Sequence, residues 1–187
     1  SWSRAMWRKA LAIALLALAP AAWARDYVQA PGSTLAFAGS YQGAVFTGRF
    51  PAFRTQLSFD PARPGDAHLR VSIPLAGATT ENPDYDAELH GAAFFASARF
   101  PEARYEARGF RPLGGNRYAA EGTLTLRGVS RPVTLEFTWS PGARPVLAGK
   151  ASVRRLQFAV GGGEWADTAL IPDAIAVSTR VVFAPAD

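Results

Sequence analysis

The sequence predicts an all-β fold: a single closed antiparallel β-barrel of about eight strands with one short helix. Three observations carry that prediction. From Thr34 onward short stretches alternate apolar with polar residues, Gly, Pro, Asn and Asp break them about every eight to twelve residues, and no βαβ alternation is present. A period of two places every other side chain on one face, and closing such a sheet into a ring turns the apolar face inward.

The first segment belongs to another category. Arg4, Arg8 and Lys9 lead into an apolar run from Leu11 to Ala19, followed by Pro20 and by small residues at Ala22 and Ala24. A basic start, a short apolar core and an A-x-A-like end read as a secretory signal peptide over residues 1–24, cleaved after Ala24. The run is shorter than the ~20 residues a spanning helix needs, which sets aside an uncleaved membrane anchor. One domain over residues 25–187 is expected in the periplasm.

Removing Arg4, Arg8 and Lys9, with no acid in the same stretch, lowers the formal charge from +5 to about +2. The remaining basic residues are scattered singly among acids, so a nucleic-acid or anionic-membrane stripe is not expected. No cysteine is present, which excludes thiol chemistry and disulfide support.

Strands are read at residues 34–41, 45–53, 55–59, 68–74, 104–110, 118–126, 133–139, 146–158 and 174–183. Asp60-Pro61 with Pro64-Gly65-Asp66, Gly114-Gly115-Asn116, Gly128-Val129-Ser130 and Pro141-Gly142 supply the turns. Asn82-Pro83-Asp84-Tyr85-Asp86-Ala87-Glu88-Leu89 departs from the pattern: a cap residue, Pro at the first helical position and helix formers predict a short helix. The aromatic connection after it, Phe94-Phe95 and then Phe100-Pro101, is expected to seal one end of the barrel.

All twelve phenylalanines lie beyond residue 24. Phe37, Phe46, Phe50, Phe53, Phe59, Phe94, Phe95, Phe100 and Phe137, with Trp139, are the expected lining of an internal tunnel. The alternative is that these rings simply fill a solid core. A tunnel needs no directional bonds to retain an apolar guest, since burying about ten methylenes at ~0.8 kcal/mol each gives micromolar binding before ordering costs.

Several motifs stand in a fixed order along the chain: Ser33 to Phe37, then Gly43, Gly48-Arg49-Phe50 and Phe53, and Leu57 to Pro61. Asp86, Leu89, Phe94-Phe95 and Phe100-Pro101 follow, then Leu124 to Val133 with its Gly128-Val129-Ser130-Arg131-Pro132. Taken together, they resemble the YceI-like family of polyisoprenoid-binding proteins, whose members have a lipocalin-like barrel. Gly163-Glu164-Trp165-Ala166-Asp167-Thr168 is similar to members encoded near b-type membrane cytochromes. The helix departs from the family's Asp-x-His-Leu, with Glu88 where the histidine stands and His90 after the leucine.

The resemblance implies a long isoprenoid lipid, such as a quinone or polyprenyl phosphate, as ligand, no other cofactor, a membrane b-type cytochrome as partner and a homodimer as one assembly. Arg154, Arg155, Trp165, Asp167 and Thr168 are the candidate headgroup contacts, against the plainer reading of a salt-bridged rim.

Chemistry of other kinds is poorly supported. His68 and His90 belong to no metal-ligand spacing, and both are expected on the surface. No G-x-S-x-G elbow is present, and Asp84, Asp86 and Glu88 suit a helix start better than an acid pair or a calcium loop. A binding protein without catalysis is the expectation, with a docking module of solid interior as its rival.

Overall fold

The computed structural model describes residues 25–187, so the expected signal peptide, residues 1–24, lies outside the described residues. β1 is Asp26–Gln29, β2 Thr34–Tyr41, β3 Ala44–Arg49, β4 Arg54–Ser58 and β5 His68–Pro74. After the helix α1, Pro83–His90, come β6 Glu102–Arg108, β7 Phe110–Gly114 and β8 Arg117–Leu126. β9 Val129–Ser140, β10 Val146–Arg154 and β11 Ala174–Pro185 complete the sheet.

The ring runs β1–β4–β5–β6–β8–β9–β10–β11, and β11 closes it on β1 with Tyr27 opposite Pro185 and Gln29 opposite Phe183. The other segments are continuations. β2 and β3 extend β1 and β4 past bends at residues 30–33 and 50–53, while β7 extends β6 past Gly109. Gly109 needs its missing side chain: its φ is +78°, and a Cβ there would press on the Gly65 carbonyl at 3.0 Å. The result is the closed eight-stranded antiparallel barrel that the sequence predicts.

Asn82 caps α1 as expected, its side-chain oxygen accepting from the N–H groups of Asp84 and Tyr85. Asp86 does more than favour the helix start. It accepts from the Thr79 hydroxyl and from both the N–H and hydroxyl of Thr80, tying the incoming loop to α1. Burial alone would raise its pKa, but the hydrogen bonds from Thr80 and Thr79, with nearby His90, hold it below the ordinary carboxylate range.

Several strand limits differ from the expected ones. β1 was not anticipated. β9 begins at Val129, not Val133, because Arg127 and Gly128 both adopt positive φ and make a two-residue hairpin turn. β10 stops at Arg154 because Arg155–Phe158 turns into a 3-10 helix ended by left-handed Ala159. The histidines are also corrected: both are half-buried and bonded, His68 to the Glu106 carboxylate and His90 to the Ala78 carbonyl, each at 2.9 Å.

The meander gives the barrel two unlike ends. The end away from α1 is filled by rings packed edge to face: Phe59 touches Phe110, Tyr118 and Trp139 with centroids 5.0–5.2 Å apart. Phe137 meets Phe110 and Tyr118, and Tyr27 and Phe183 close against Trp139. Such pairs contribute roughly 0.5–1.5 kcal/mol each beyond burial. This is a solid floor.

Candidate ligand-binding cavity

Above the floor aliphatic and small residues take over many inward positions beside a few phenylalanines, and the side chains stop filling the axis. A cavity of about 200 Å³ results. Leu69, Leu147 and Val181 form its base, Val71, Leu135, Ala151 and Val177 its sides, and Phe46, Phe94, Val160, Ile171 and Ile175 its upper part. From Leu147 to Arg155 the inward positions of β10 and its continuation cover about 26 Å of chain at ~3.3 Å per residue.

Among the described residues, Thr55, Tyr105, Arg155 and Thr179 alone bring polar side chains to this wall. Tyr105 lies flat against Gly122, where no Cβ could be accommodated. Its hydroxyl accepts from the Gly122 N–H and shares its proton between the carbonyls of Val133 and Ala120, at 2.8 and 3.1 Å. Desolvation pushes this phenol up to about 12, so it stays neutral. Thr179 donates to the Thr34 carbonyl. Thr55, 3 % exposed, has no partner for its hydroxyl.

A lid closes the end that carries α1. Residues 91–101 and 155–173 pack on one another, with the N–H groups of Gly161 and Gly162 donating to the Ala93 carbonyl. Arg127 reaches from the β8–β9 turn to the carbonyls of Ala92 and Phe94. Tyr41, Tyr85, Phe46, Trp165 and Phe94 form an aromatic seam between the β2–β3 tip, α1 and the lid, with centroids 5.6–6.5 Å apart.

Arg155 is the staple of this lid. At 3 % exposure, its Nε donates to Pro172, one terminal nitrogen to Val160 and Gly161, and the other to Trp165 and Ile171, always to backbone oxygens. A guanidinium has five N–H groups, and all five are used. Burial lowers its pKa from the usual arginine value, partly offset by Asp173. Asp173 is itself held low, chiefly by the Leu156 N–H and also by Arg154.

The expected lining divides accordingly. Phe37, Phe46, Phe50, Phe53, Phe94 and Phe95 do line the cavity. Phe59, Phe137 and Trp139 do not, because they interlock in the floor below it. Phe100 lies outside, under the side chains of Arg99 and Arg127 and against Gly128.

The expected headgroup residues do not converge. Arg154 is exposed and paired with Asp173 at 3.1 Å, Trp165 packs between Tyr41 and Phe94, Asp167 accepts from the Ala169 N–H, and Thr168 is exposed. Arg155 serves the backbone instead of a ligand. Sequence reasoning passed over the aliphatic half of the wall, although Leu147, Ala151 and Val153 alternate as plainly as the phenylalanines do. Thr55 carried no signal, since threonine is common in strands.

An eight-stranded antiparallel barrel, solid at one end and hollow under a lid at the other, defines a lipocalin-like barrel protein. The YceI-like domain model matches residues 27–183, nearly all of the described chain. This chain belongs to the YceI-like family.

A UPF0312 protein of Pseudomonas fluorescens is 30% identical over 152 residues, covering 72% of this chain and 76% of that protein. Among solved structures, Burkholderia cenocepacia BcnA is 28% identical with a TM-score of 0.77, over 80% of this chain and 95% of BcnA. A polyisoprenoid binding domain from Saccharophagus degradans, 16% identical, shares the fold with a TM-score of 0.67 over 87% of this chain and 99% of that domain.

Proposed function

We propose that this protein binds and carries a long apolar lipid, a polyisoprenoid or isoprenoid quinone, in its barrel, works in the periplasm and catalyses no reaction. The observation that carries the proposal is the capped apolar cavity with six phenylalanines in its wall. The fold neighbour from Saccharophagus degradans supports the ligand class, being a polyisoprenoid binding domain.

An apolar cavity of ~150 Å³ takes a benzene-sized guest, so the roughly 200 Å³ here receives the first part of a prenyl chain as it stands. A longer chain requires lid side chains to swing aside, and the aromatic seam offers wide, non-directional surface for its passage. The two ionisable side chains in the wall, Tyr105 and Arg155, are committed to backbone oxygens, which supports retention over reaction. Delivery to a membrane b-type cytochrome belongs to the same proposal. It rests on the Gly163 to Thr168 segment, which forms part of the lid.

Organic extraction of protein purified from a bacterial periplasm, followed by mass spectrometry, tests the reading. One prenyl lipid per chain is expected. Protein free of lipid, with its interior unchanged by added prenyl lipids, would favour a docking module instead.

A further inference from the structure

Among the described residues, two buried side-chain atoms lack a hydrogen-bond partner: the Thr55 hydroxyl oxygen and the Gln29 side-chain oxygen. Thr55 lines the cavity, whereas Gln29 stands outside its wall, on β1 one residue past the last β1–β4 pair, Val28 with Gln56. The Gln29 amide nitrogen already donates to the Phe53 carbonyl, which fixes its oxygen as the free group.

A buried polar atom left without a partner costs free energy, and one hydroxyl in an apolar wall is too little to hold a water, which needs two or more polar contacts. We propose that Thr55 is a polar subsite that receives the hydroxyl end of a prenyl alcohol lying in the cavity. The inference rests on the lipid-carrier reading above and names the headgroup of that ligand.

The donor and acceptor count selects the group. Thr55 offers a donor and an acceptor, so the group that satisfies both must itself donate and accept a hydrogen bond. A hydroxyl does both. A quinone carbonyl only accepts and would leave the acceptor side of the Thr55 hydroxyl bare. A phosphate needs positive charge, and the one cation that the described residues bring to the wall, Arg155, has every N–H engaged at the lid.

Three probes with one C15 chain test this: farnesol, farnesyl phosphate and the hydrocarbon farnesene, titrated against the protein and its Thr55→Val and Thr55→Ser variants. For the unaltered protein, farnesol should bind about tenfold tighter than farnesene, with farnesyl phosphate the weakest. Thr55→Val should erase the farnesol advantage over farnesene, and should raise the melting temperature of the ligand-free protein by removing an unsatisfied group. Thr55→Ser should restore the preference.

Equal binding of farnesol and farnesene, tighter binding of the phosphate, or a lowered melting temperature in Thr55→Val would each overturn the subsite. Those outcomes leave the carrier reading in place. Failure of all three probes to bind would instead remove the carrier reading, and the subsite with it.

Discussion

The two halves of the barrel share one strand pattern and differ in what they do with it. In the floor, large rings from opposite strands meet at about 5 Å and leave no room. Under the lid, the wall alternates Leu, Val, Ala and Thr with a few phenylalanines, and side chains fail to meet across the axis. Alternation decides which face a residue takes, and residue size at each level decides whether that face encloses solid or space. Stability and binding are thus assigned to different ends of one sheet.

The largest effect is expected where the floor is densest. Phe59, 2 % exposed and touching three rings, should cost about 3–5 kcal/mol on Phe59→Ala, read by denaturant unfolding. A loss below about 1 kcal/mol would mean that the floor relaxes freely, erasing the contrast. Arg155→Met comes next. It strips donors from five backbone oxygens and should cost about 3 kcal/mol, concentrated in the lid. Trp165 fluorescence should then change at lower denaturant than that of Trp139 in the floor, and coincident transitions would show lid and floor to be one cooperative unit.

Acid sharpens the same contrast with a smaller effect. Asp86 and Asp173 both serve the lid end, and both titrate below their ordinary value. Their contribution is therefore complete above the unfolded-state carboxylate pKa, near ~3.9, and is lost as pH falls through the lower folded values. On acidification Trp165 should respond before Trp139. The reverse order would place the acid-sensitive contacts in the floor.

Much of this was legible in the sequence, and the rest was hidden for identifiable reasons. The cap at Asn82, Pro83 and the turn glycines act locally, so they are visible in a short window. β1 is four residues long, too short for periodicity to register. For Phe59 and Phe137 alternation gives the correct face but not the level, because a period of two carries no information about height along the axis. The role of Arg155 is hidden because its acceptors lie in the loop that follows it and are backbone oxygens, which no residue pattern displays. Thr55 was invisible for a related reason: lacking a partner is a property of the fold.

The central claim is that the space under the lid, and not the floor, receives the apolar guest. Ala151→Trp tests it most directly, since Ala151 lines the hollow and its replacement would fill space now empty. Titration with a fluorescent polyene fatty acid should show about one site on the unaltered protein and at least a tenfold loss on the variant, with the unfolding transition preserved. Undiminished binding by a folded Ala151→Trp protein would contradict the account.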